Sequence, residues 1–237
     1  DTIVMDNAKN TPSLAGYEEV KPMVFCGIFP VVNDDYEELK VALEKLALND
    51  SSFTYEPETS QALGFGFRCG FLGLLHMSII QERLEREFSL SLISTAPSVR
   101  YRVKTKKGEE LLVQNPSELP EPGEIEQIQE PMVLLSIHVP NEYVGVIITL
   151  CEKRRGVQQD IKYITSDRVQ VIYNLPLSEM VFDFYDQLKS ITKGYASMDY
   201  EFNDYQTAKM VKLDVLLNGD PVDALSLITH ESSSYYK

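Results

Sequence analysis

The sequence contains few metal-binding or redox-active side chains, with only three cysteines and three histidines in 237 residues. The cysteines lie far apart, are odd in number and include no C-x-x-C pair: Cys26, Cys69 and Cys151. The histidines are equally scattered: His76, His138 and His230. This usage favours reduced, packed thiols over a disulfide framework, and it predicts neither a zinc site nor another metal centre.

Long apolar runs are also missing. No run is long enough to cross a bilayer, and no charged-then-apolar signal peptide opens the chain. The hydrophobic content of 43%, with 13 Tyr and 10 Phe, is nevertheless ample for packed cores. At this length the chain is expected to form one large domain or two compact ones.

A phosphate-binding loop is the third absence, although residues 64–80, "GFGFRCGFLGLLHMSII", suggest one at first sight. A dinucleotide fingerprint needs G-x-G-x-x-G, but Cys69 stands where the third glycine should follow Gly64 and Gly66, and Gly70 comes one place late. A P-loop would need Gly-Lys after that spacing, and none follows. We therefore interpret the glycines as positions of close backbone packing, with no nucleotide bound.

Positive charge is scarce as well, since 22 bases against 36 acids give a net charge of −14. Such a balance argues against nonspecific nucleic-acid binding. The distribution is uneven, however: residues 108–130 carry seven acids and no base, while residues 99–107, "VRYRVKTKK", carry five bases and no acid. Local patches therefore decide what the surface can bind.

The pattern of residues 22–98 predicts the order β-α-β-β-α-β. The strands are "PMVFCGIFPV", "FTYEP", "GFGFRCG" and "LSLIST", and the helices are "NDDYEELKVALEKLAL", capped by Asn33 or Asp34, and "LLHMSIIQERLEREF". The residues expected to face the core from the helices are Tyr36, Leu39, Leu43 and Leu46, then Met77, Ile80, Leu84 and Phe88.

The same order returns in residues 131–208, after a hairpin turning at "KKGEE" and an acidic, proline-rich linker. Here we expect a helix ending at Gly156, two strands around a turn at residues 166–167, and a second helix ending at Gly194. The second helix should bury Met180, Val181, Phe184, Leu188 and Ile191. A final hairpin turns at Asn218-Gly219. The predicted fold class is α+β, with two ferredoxin-like units that carry their helices on one face of an antiparallel sheet.

Several stretches resemble translational GTPases. "GFLGLLHMSIIQERLEREF" is similar to the glycine- and histidine-containing run of domain III in factors such as elongation factor G, although Leu74 stands where that factor has glutamate. "EPMVLLSIHVPNEYVGVIITLCEKRRGVQ" and "YNLPLSEMVFDFYDQLKSITKGYAS" resemble the two halves of domain V. The short linker in place of a domain IV, and "VDALSLITH" after domain V, resemble the LepA branch of the family.

The resemblance implies a division of the chain: residues 1–21 as the tail of a β-barrel domain, 22–103 as domain III, 104–130 as hairpin and linker, 131–208 as domain V, and 209–237 as the start of a C-terminal domain. It implies a longer parent protein that binds GTP and Mg²⁺ and hydrolyses GTP on the ribosome. The partners would be ribosomal RNA, ribosomal proteins and the rest of the parent chain. The parent would be cytoplasmic, with peripheral association at the inner membrane of a bacterium. These 237 residues would be a monomeric, non-catalytic portion without a cofactor.

Three groups of residues are candidates for RNA contact. The first comprises the alternating bases Arg100, Arg102, Lys104 and Lys106, which a strand would place on one face, opposite Val99, Tyr101 and Val103. The strip has two possible explanations. It is either a solvent-exposed sheet edge whose charges prevent pairing with another strand, or a surface that faces RNA phosphates.

The second group is Lys153, Arg154 and Arg155, which end a helix and exceed what its dipole needs, and which face ribosomal RNA in the resembled family. The third is Lys189 and Lys193 with Gly194 and Tyr195, for which the helix dipole is an equally good explanation. His76 is expected to be a packed or capping residue.

Two other functions fit paired ferredoxin-like units. A small-molecule regulatory module would need ligand-sized pockets between the units. A small phosphatase would need an arginine in a phosphate loop together with an asparagine; Arg68 would be that arginine, but no asparagine lies near it in the sequence.

Overall fold

We analysed a computed structural model, which describes residues 21–235. The predicted tail of a preceding domain, residues 1–21, therefore lies almost entirely outside the described residues. The first unit contains β1 (Val24–Pro30), α1 (Tyr36–Asn49), β2 (Thr54–Ser60), β3 (Gly64–Phe71), α2 (Leu74–Phe88) and β4 (Leu92–Ser94), followed by the short β5 (Ser98–Val99). Its antiparallel sheet has the order β2-β3-β1-β4, with β5 also pairing with β1.

Both helices of the first unit pack on one face of this sheet, because their apolar stripes meet the inward residues of β1 and β3. The pair Cys26–Cys69 lies in register across these strands and shares one hydrophobic cluster with α1 and α2. Leu39, Leu43, Leu46, Ile80 and Leu84 are buried, and Tyr36, Met77 and Phe88 pack at the margin of the cluster, as predicted.

The start of α1 differs from the prediction. Neither Asn33 nor Asp34 caps α1, since a 3-10 turn over Asn33–Asp35 comes first and α1 begins at Tyr36. No side chain caps either helix start. Acids nevertheless occupy the first turn of α1, where the helix dipole favours them.

The hairpin after the first unit joins the sheet of the second. β6 (Tyr101–Thr105) and β7 (Glu110–Val113) pair with each other, and β6 also pairs with β8 (Ile125–Pro140). The boundary predicted at residue 103 therefore falls inside a strand. The acidic segment is ordered rather than an open linker, because it contains a 3-10 turn at Pro116–Glu118 and the first part of β8.

The second unit continues with α3 (Val144–Lys153), β9 (Val157–Tyr163), β10 (Arg168–Pro176), α4 (Leu177–Met180), α5 (Phe184–Ile191) and β11 (Ser197–Thr207). Its strands pair in the order β9-β10-β8-β11, the counterpart of the first sheet. The α+β class with two antiparallel β-α-β-β-α-β units is thus confirmed.

The last helix of the second unit was predicted as one segment, but it is broken between Met180 and Phe184 into α4 and α5. Four of the five predicted inward residues are buried, whereas Ile191 is 36% exposed at the end of α5. The break turns the chain so that Val181 and Phe184 both reach the core.

The chain then forms a two-stranded ribbon of β12 (Met210–Leu217) and β13 (Asp220–His230). Its turn is the predicted Asn218-Gly219, with φ values of 58° and 96°. Two successive residues with positive φ suit the type I′ hairpin turn for which this dipeptide is favoured.

Polar contacts along β2 join the first unit to the rest of the molecule. Glu56 accepts a hydrogen bond from the Gln114 amide and Glu58 accepts one from the Asn115 amide, while Ser60 donates to Asp223. Because the three β2 residues alternate along the strand, they share one face. That face forms a polar seam against the 114–118 segment and β13.

Candidate nucleic-acid interface

The basic strip on β6 shows the alternation that the sequence predicts. Val99, Tyr101 and Val103 are buried, while Arg100, Arg102 and Lys104 are half-buried on the opposite face and Lys106 is exposed beyond the strand. Of the two alternatives for this strip, the solvated sheet edge does not apply, since β6 lies between β7 and β8.

Each base of the strip has a contact within the molecule. Arg100 lies over the Phe25 ring at 4.6 Å and Arg102 over the Tyr205 ring at 4.4 Å. Lys104 Nζ is 3.1 Å from Glu126, and Lys106 Nζ donates to the Gly123 carbonyl at 2.6 Å. The arginines therefore cover aromatic rings, which accounts for them without a phosphate ligand.

The run at the end of α3 divides into one free base and two paired ones. Arg155 donates from Nη1 and Nη2 to both oxygens of Glu130, at 2.6 and 2.9 Å, and from Nε to Glu179 at 3.0 Å. Arg154 donates to Asp183 at 2.6 Å. Lys153 is exposed and has no acid partner among residues 21–235.

This arrangement gives two of the three bases a structural role. The excess of base at the helix end, which suggested RNA contact, neutralises acids that come from elsewhere in the chain. Glu130 and Glu179 have only 4% and 7% of their side chains exposed, so they need a cationic partner. Burial lowers the pKa of Arg155, but the bonds to Glu130 and Glu179 outweigh this effect and its pKa lies above the ordinary value.

The end of α3 also differs in detail. The helix ends at Lys153, and Arg155 rather than Gly156 has a left-handed backbone, with φ of 60°. A Cβ on Gly156 would lie 2.7 Å from the Cys151 carbonyl oxygen and 2.8 Å from Leu175 Cδ1. Gly156 is thus required for close packing, and the αL position is occupied by an arginine that two glutamates hold in place.

The third group of candidates follows α5. Lys189 Nζ donates to the carbonyl of Ala196 at 2.7 Å, and Lys193 is exposed with φ of 51°. Gly194 has φ of 84°, which supports its predicted role as the helix stop. The Tyr195 ring is 62% exposed and stacks on Tyr143, with ring centroids 6.1 Å apart.

The strand register separates the second and third groups to opposite ends of the second unit. Pro140 pairs with Arg168, and His138 with Ser197, so the start of α3 and the end of α5 meet at one end, which we call the Tyr195 end. Pro176 pairs with Met132 at the other, the Arg155 end. Arg168 is exposed at the Tyr195 end without an acid partner in the described part of the chain, and no local sequence signal singled it out.

The glycine-rich segment is structural. It forms β3 in the interior of the first sheet, and a Cβ on Gly66 would collide with the Phe29 ring and lie 2.5 Å from the Ile28 carbonyl oxygen. His76 is the capping residue that was expected: Nδ1 accepts from the Leu72 amide at 3.1 Å, so Nε2 carries the proton donated to Asp50 at 2.8 Å.

Arg68 is not placed to bind phosphate. It is 6% exposed, donates to Ser98 Oγ at 2.5 Å and to the Gln114 carbonyl, and lies 3.7 Å from Glu58. Asn115 lies close by, but its amide donates to Glu58 instead of facing an open site. The geometry required for a phosphatase is therefore not met at this arginine.

An apolar groove of about 840 Å³ lies between the two units. Its walls come from the start of α2, including Leu75 and Ile79, and from the α4–α5 region, including Met180 and Tyr185. The Tyr200 hydroxyl reaches across to the Leu72 carbonyl at 3.4 Å. This groove is the ligand-sized pocket that the regulatory-module alternative needs.

The thiols and metal-binding side chains show no reactive site. All three cysteines are buried and free; burial raises the pKa of Cys26 and Cys151 to about 12 and raises that of Cys69. Residues 21–235 contain no group of three side chains able to hold a metal ion. No helix among these residues is both long and apolar enough to cross a membrane.

Comparisons with known proteins agree with the resemblance. Residues 127–216 match the family model described as elongation factor G C-terminus. Over 237 residues the chain is 57% identical to elongation factor 4 of Oleidesulfovibrio alaskensis, and over 235 residues 57% identical to that of Maridesulfovibrio salexigens. It is 58% identical over 236 residues to elongation factor 4 of Lawsonia intracellularis.

These alignments cover 99–100% of the chain but only 39% of each relative. The match is therefore to one part of a longer protein, and it includes both β-α-β-β-α-β units. With identity above one half along its whole length, the chain corresponds to one part of an elongation factor 4, about two fifths of the length of these relatives.

Proposed function

We propose that this chain supplies ribosome-binding surfaces to a translation factor of the elongation factor 4 type and carries no catalytic group of its own. The observation that carries the proposal is the presence of exposed bases without acid partners in a chain of net charge −14. In the second unit they include Lys153 at one end and Lys193 and Arg168 at the other, none of which has an acid partner among residues 21–235. An acidic protein meets a polyanion favourably only at such positions.

The proposed RNA contacts are narrower than the sequence suggested. Of the two groups at helix ends, Lys153, Lys193 and Tyr195 remain, and Arg168 is added. Arg154 and Arg155 are assigned to the ion pairs with Asp183, Glu130 and Glu179. The β6 bases contribute through the outer parts of Lys104 and Lys106, while Arg100 and Arg102 remain on their aromatic rings.

The remaining family properties are proposals for the longer protein. GTP and Mg²⁺ would bind outside these residues, since the sequence has no phosphate-binding loop. Domain III would extend from residue 22 to about residue 100, and domain V, together with the β6–β7 hairpin, from there to residue 208. Work on ribosomes would place the protein in the cytoplasm. Nothing in the structure supports the expected membrane association.

Sedimentation of the 237-residue chain with purified ribosomes at several salt concentrations tests the proposal. Lys153→Glu and Lys193→Glu should each weaken binding and reduce the slope of log affinity against log salt by about 0.7–0.9 per lost phosphate contact. Arg86→Glu, an exposed base on α2 of the first unit that already pairs with Glu82, is the matched control and should bind like the wild type. If the wild-type chain does not sediment with ribosomes, the proposal is wrong.

The groove between the units favours a second candidate, a module that binds a small apolar ligand. Calorimetric titration with free amino acids distinguishes the two functions. Binding that Ile79→Asp abolishes, combined with no sedimentation on ribosomes, would establish the alternative. The absence of heat would leave the ribosome as the partner.

A further inference from the structure

The Tyr195 ring is displayed rather than buried. Its centroid is 6.1 Å from that of Tyr143, with an angle of 21° between the ring planes. Tyr143 in turn packs against the hydrophobic core of the second unit. Tyr195 is therefore supported from beneath by a ring fixed to the core, yet 62% of its surface is in solvent.

The loop that carries Tyr195 is held by hydrogen bonds on both sides. Lys189 Nζ donates to the carbonyls of Ala196 and Gly194, at 2.7 and 3.4 Å. The fully buried Thr192 donates its hydroxyl to Leu188 at 2.7 Å and accepts from the Ala196 amide at 3.3 Å. The position of the ring is thus fixed before any partner arrives, which lowers the entropic cost of binding.

The charges at the Tyr195 end are balanced. Lys193 and Arg168 are exposed there, and so are Glu142 and Asp167. Attraction to phosphate is consequently local and modest at this end. A ligand that binds here must gain most of its affinity from the aromatic face instead of from charge.

We infer that Tyr195 is a stacking platform for an unpaired base of ribosomal RNA, with Lys193 beside it to contact the neighbouring phosphate. This inference rests on the proposed function. Proteins recognise RNA loops and bulges by stacking unpaired bases on aromatic rings, and stacking needs no net positive surface. A rigid, half-covered tyrosine next to a free lysine has the required chemistry.

The test compares Tyr195→Ala and Tyr195→Phe in the 237-residue chain, binding to purified ribosomes at several salt concentrations. Tyr195→Ala should weaken binding by about 5- to 150-fold, the range for loss of one base stack, and leave the salt slope unchanged. Tyr195→Phe should bind like the wild type. Lys193→Ala should instead reduce the slope by about 0.7. Phe65→Ala, which removes an equally exposed aromatic ring (62%) from β3 of the first unit, is the matched control.

Chemical probing of ribosomal RNA identifies the base. The wild-type chain and Tyr195→Phe should protect one unpaired base that stays reactive with Tyr195→Ala. Equal binding by Tyr195→Ala and the wild type would overturn the inference while leaving the proposed function intact. Weaker binding without any altered base reactivity would overturn it in favour of a ribosomal protein as the contact. If the wild type does not bind ribosomes, both proposals fail together.

Discussion

The two ends of the second unit have similar sequences and different structures. Each has a helix that closes with bases and a glycine: "CEKRRG" at the Arg155 end and "LKSITKG" at the Tyr195 end. At the Arg155 end, three acids hold two of the three bases. At the Tyr195 end, Lys193 has no acid partner among residues 21–235. A run of bases in the sequence therefore does not show whether those bases are free to bind RNA, because that depends on which acids pack against them in the folded chain.

The difference arises from where the acids originate. Glu130 comes from β8 and Glu179 from the short α4, 25 and 24 residues away from Arg155 in the chain. Both carboxylates are nearly buried, so an unpaired charge there would carry a large desolvation cost. Arg155 satisfies both of them with its planar guanidinium, even though this places a non-glycine residue at φ of 60°.

The largest loss of stability is expected from a substitution that removes the ion pairs at the Arg155 end. Arg155→Glu would place a third carboxylate beside Glu130 and Glu179, and we expect it to lower the free energy of unfolding by about 3–5 kcal/mol. Lys153→Glu, two residues earlier, should change it by no more than about 0.5 kcal/mol. Urea denaturation followed by circular dichroism measures both. Equal midpoints for Arg155→Glu and the wild type would show that the ion pairs are not structural.

The ion pairs of Arg155 also show which parts of the structure could be predicted from the sequence and which could not. Periodicity located both β-α-β-β-α-β units and most of their inward residues, because apolar spacing is a local property. It could not show that Glu130 and Arg155 are partners, since residues 25 apart in the chain meet only after the sheet has formed. The β6–β7 hairpin was assigned outside the second unit for the same reason, because its pairing with β8 is nonlocal.

The candidate RNA-binding residues also divide into those that a local sequence signal indicates and those that only the strand pairing reveals. Lys193 and Tyr195 could be proposed from a helix end followed by a glycine, which is a local signal. Arg168 could not, because only the register of β10 against β8 brings it to the Tyr195 end. Tyr143 meets Tyr195 through the register of β11 against β8, which no local sequence signal shows either.

The glycine run of the first unit is a second motif whose role is structural. Gly66→Ala tests whether this glycine is required for close packing in the first sheet. The new methyl group would press on Phe29 and on the Ile28 carbonyl, so we expect a loss of about 1–3 kcal/mol in the free energy of unfolding. Gly145→Ala, in the first turn of α3 where a Cβ meets nothing, should instead stabilise by up to about 1 kcal/mol. Thermal unfolding of the two variants should therefore shift in opposite directions.

At the Tyr195 end, Lys189→Met tests whether Lys189 holds the loop that carries Tyr195, in contrast to the unpaired Lys193. The variant loses the bond from Nζ to the Ala196 carbonyl while keeping the aliphatic stem, and should cost about 0.5–1.5 kcal/mol. Lys193→Met removes an equal charge without a partner and should change stability little. Hydrogen exchange at the Gly194 amide should accelerate in Lys189→Met alone. An unchanged rate there would mean that the lysine does not hold the loop.

An effect of about the same size is expected at the polar seam, where Asp223→Asn tests whether a carboxylate of β13 that faces the first unit behaves like the carboxylates at the Arg155 end. Asp223 accepts from Ser60 Oγ and from the Gln61 amide, both at 2.8 Å. Partial burial raises the pKa of this carboxyl, and the hydrogen bonds outweigh it, so the pKa lies below its ordinary value. We expect the wild type to exceed the variant by about 1 kcal/mol near neutral pH.

The pH dependence gives this last prediction its sign. A carboxyl whose pKa is lower in the folded state contributes stability above its unfolded pKa and loses it as the pH falls through the folded value. The difference between the wild type and Asp223→Asn should therefore be constant near neutrality and shrink below about pH 4. Asp220→Asn, exposed at the start of the same strand, removes the same charge without these bonds and should show no such difference. A gap that persists unchanged into acid would assign the effect to packing rather than to the carboxylate, and the seam would then differ in kind from the ion pairs around Arg155.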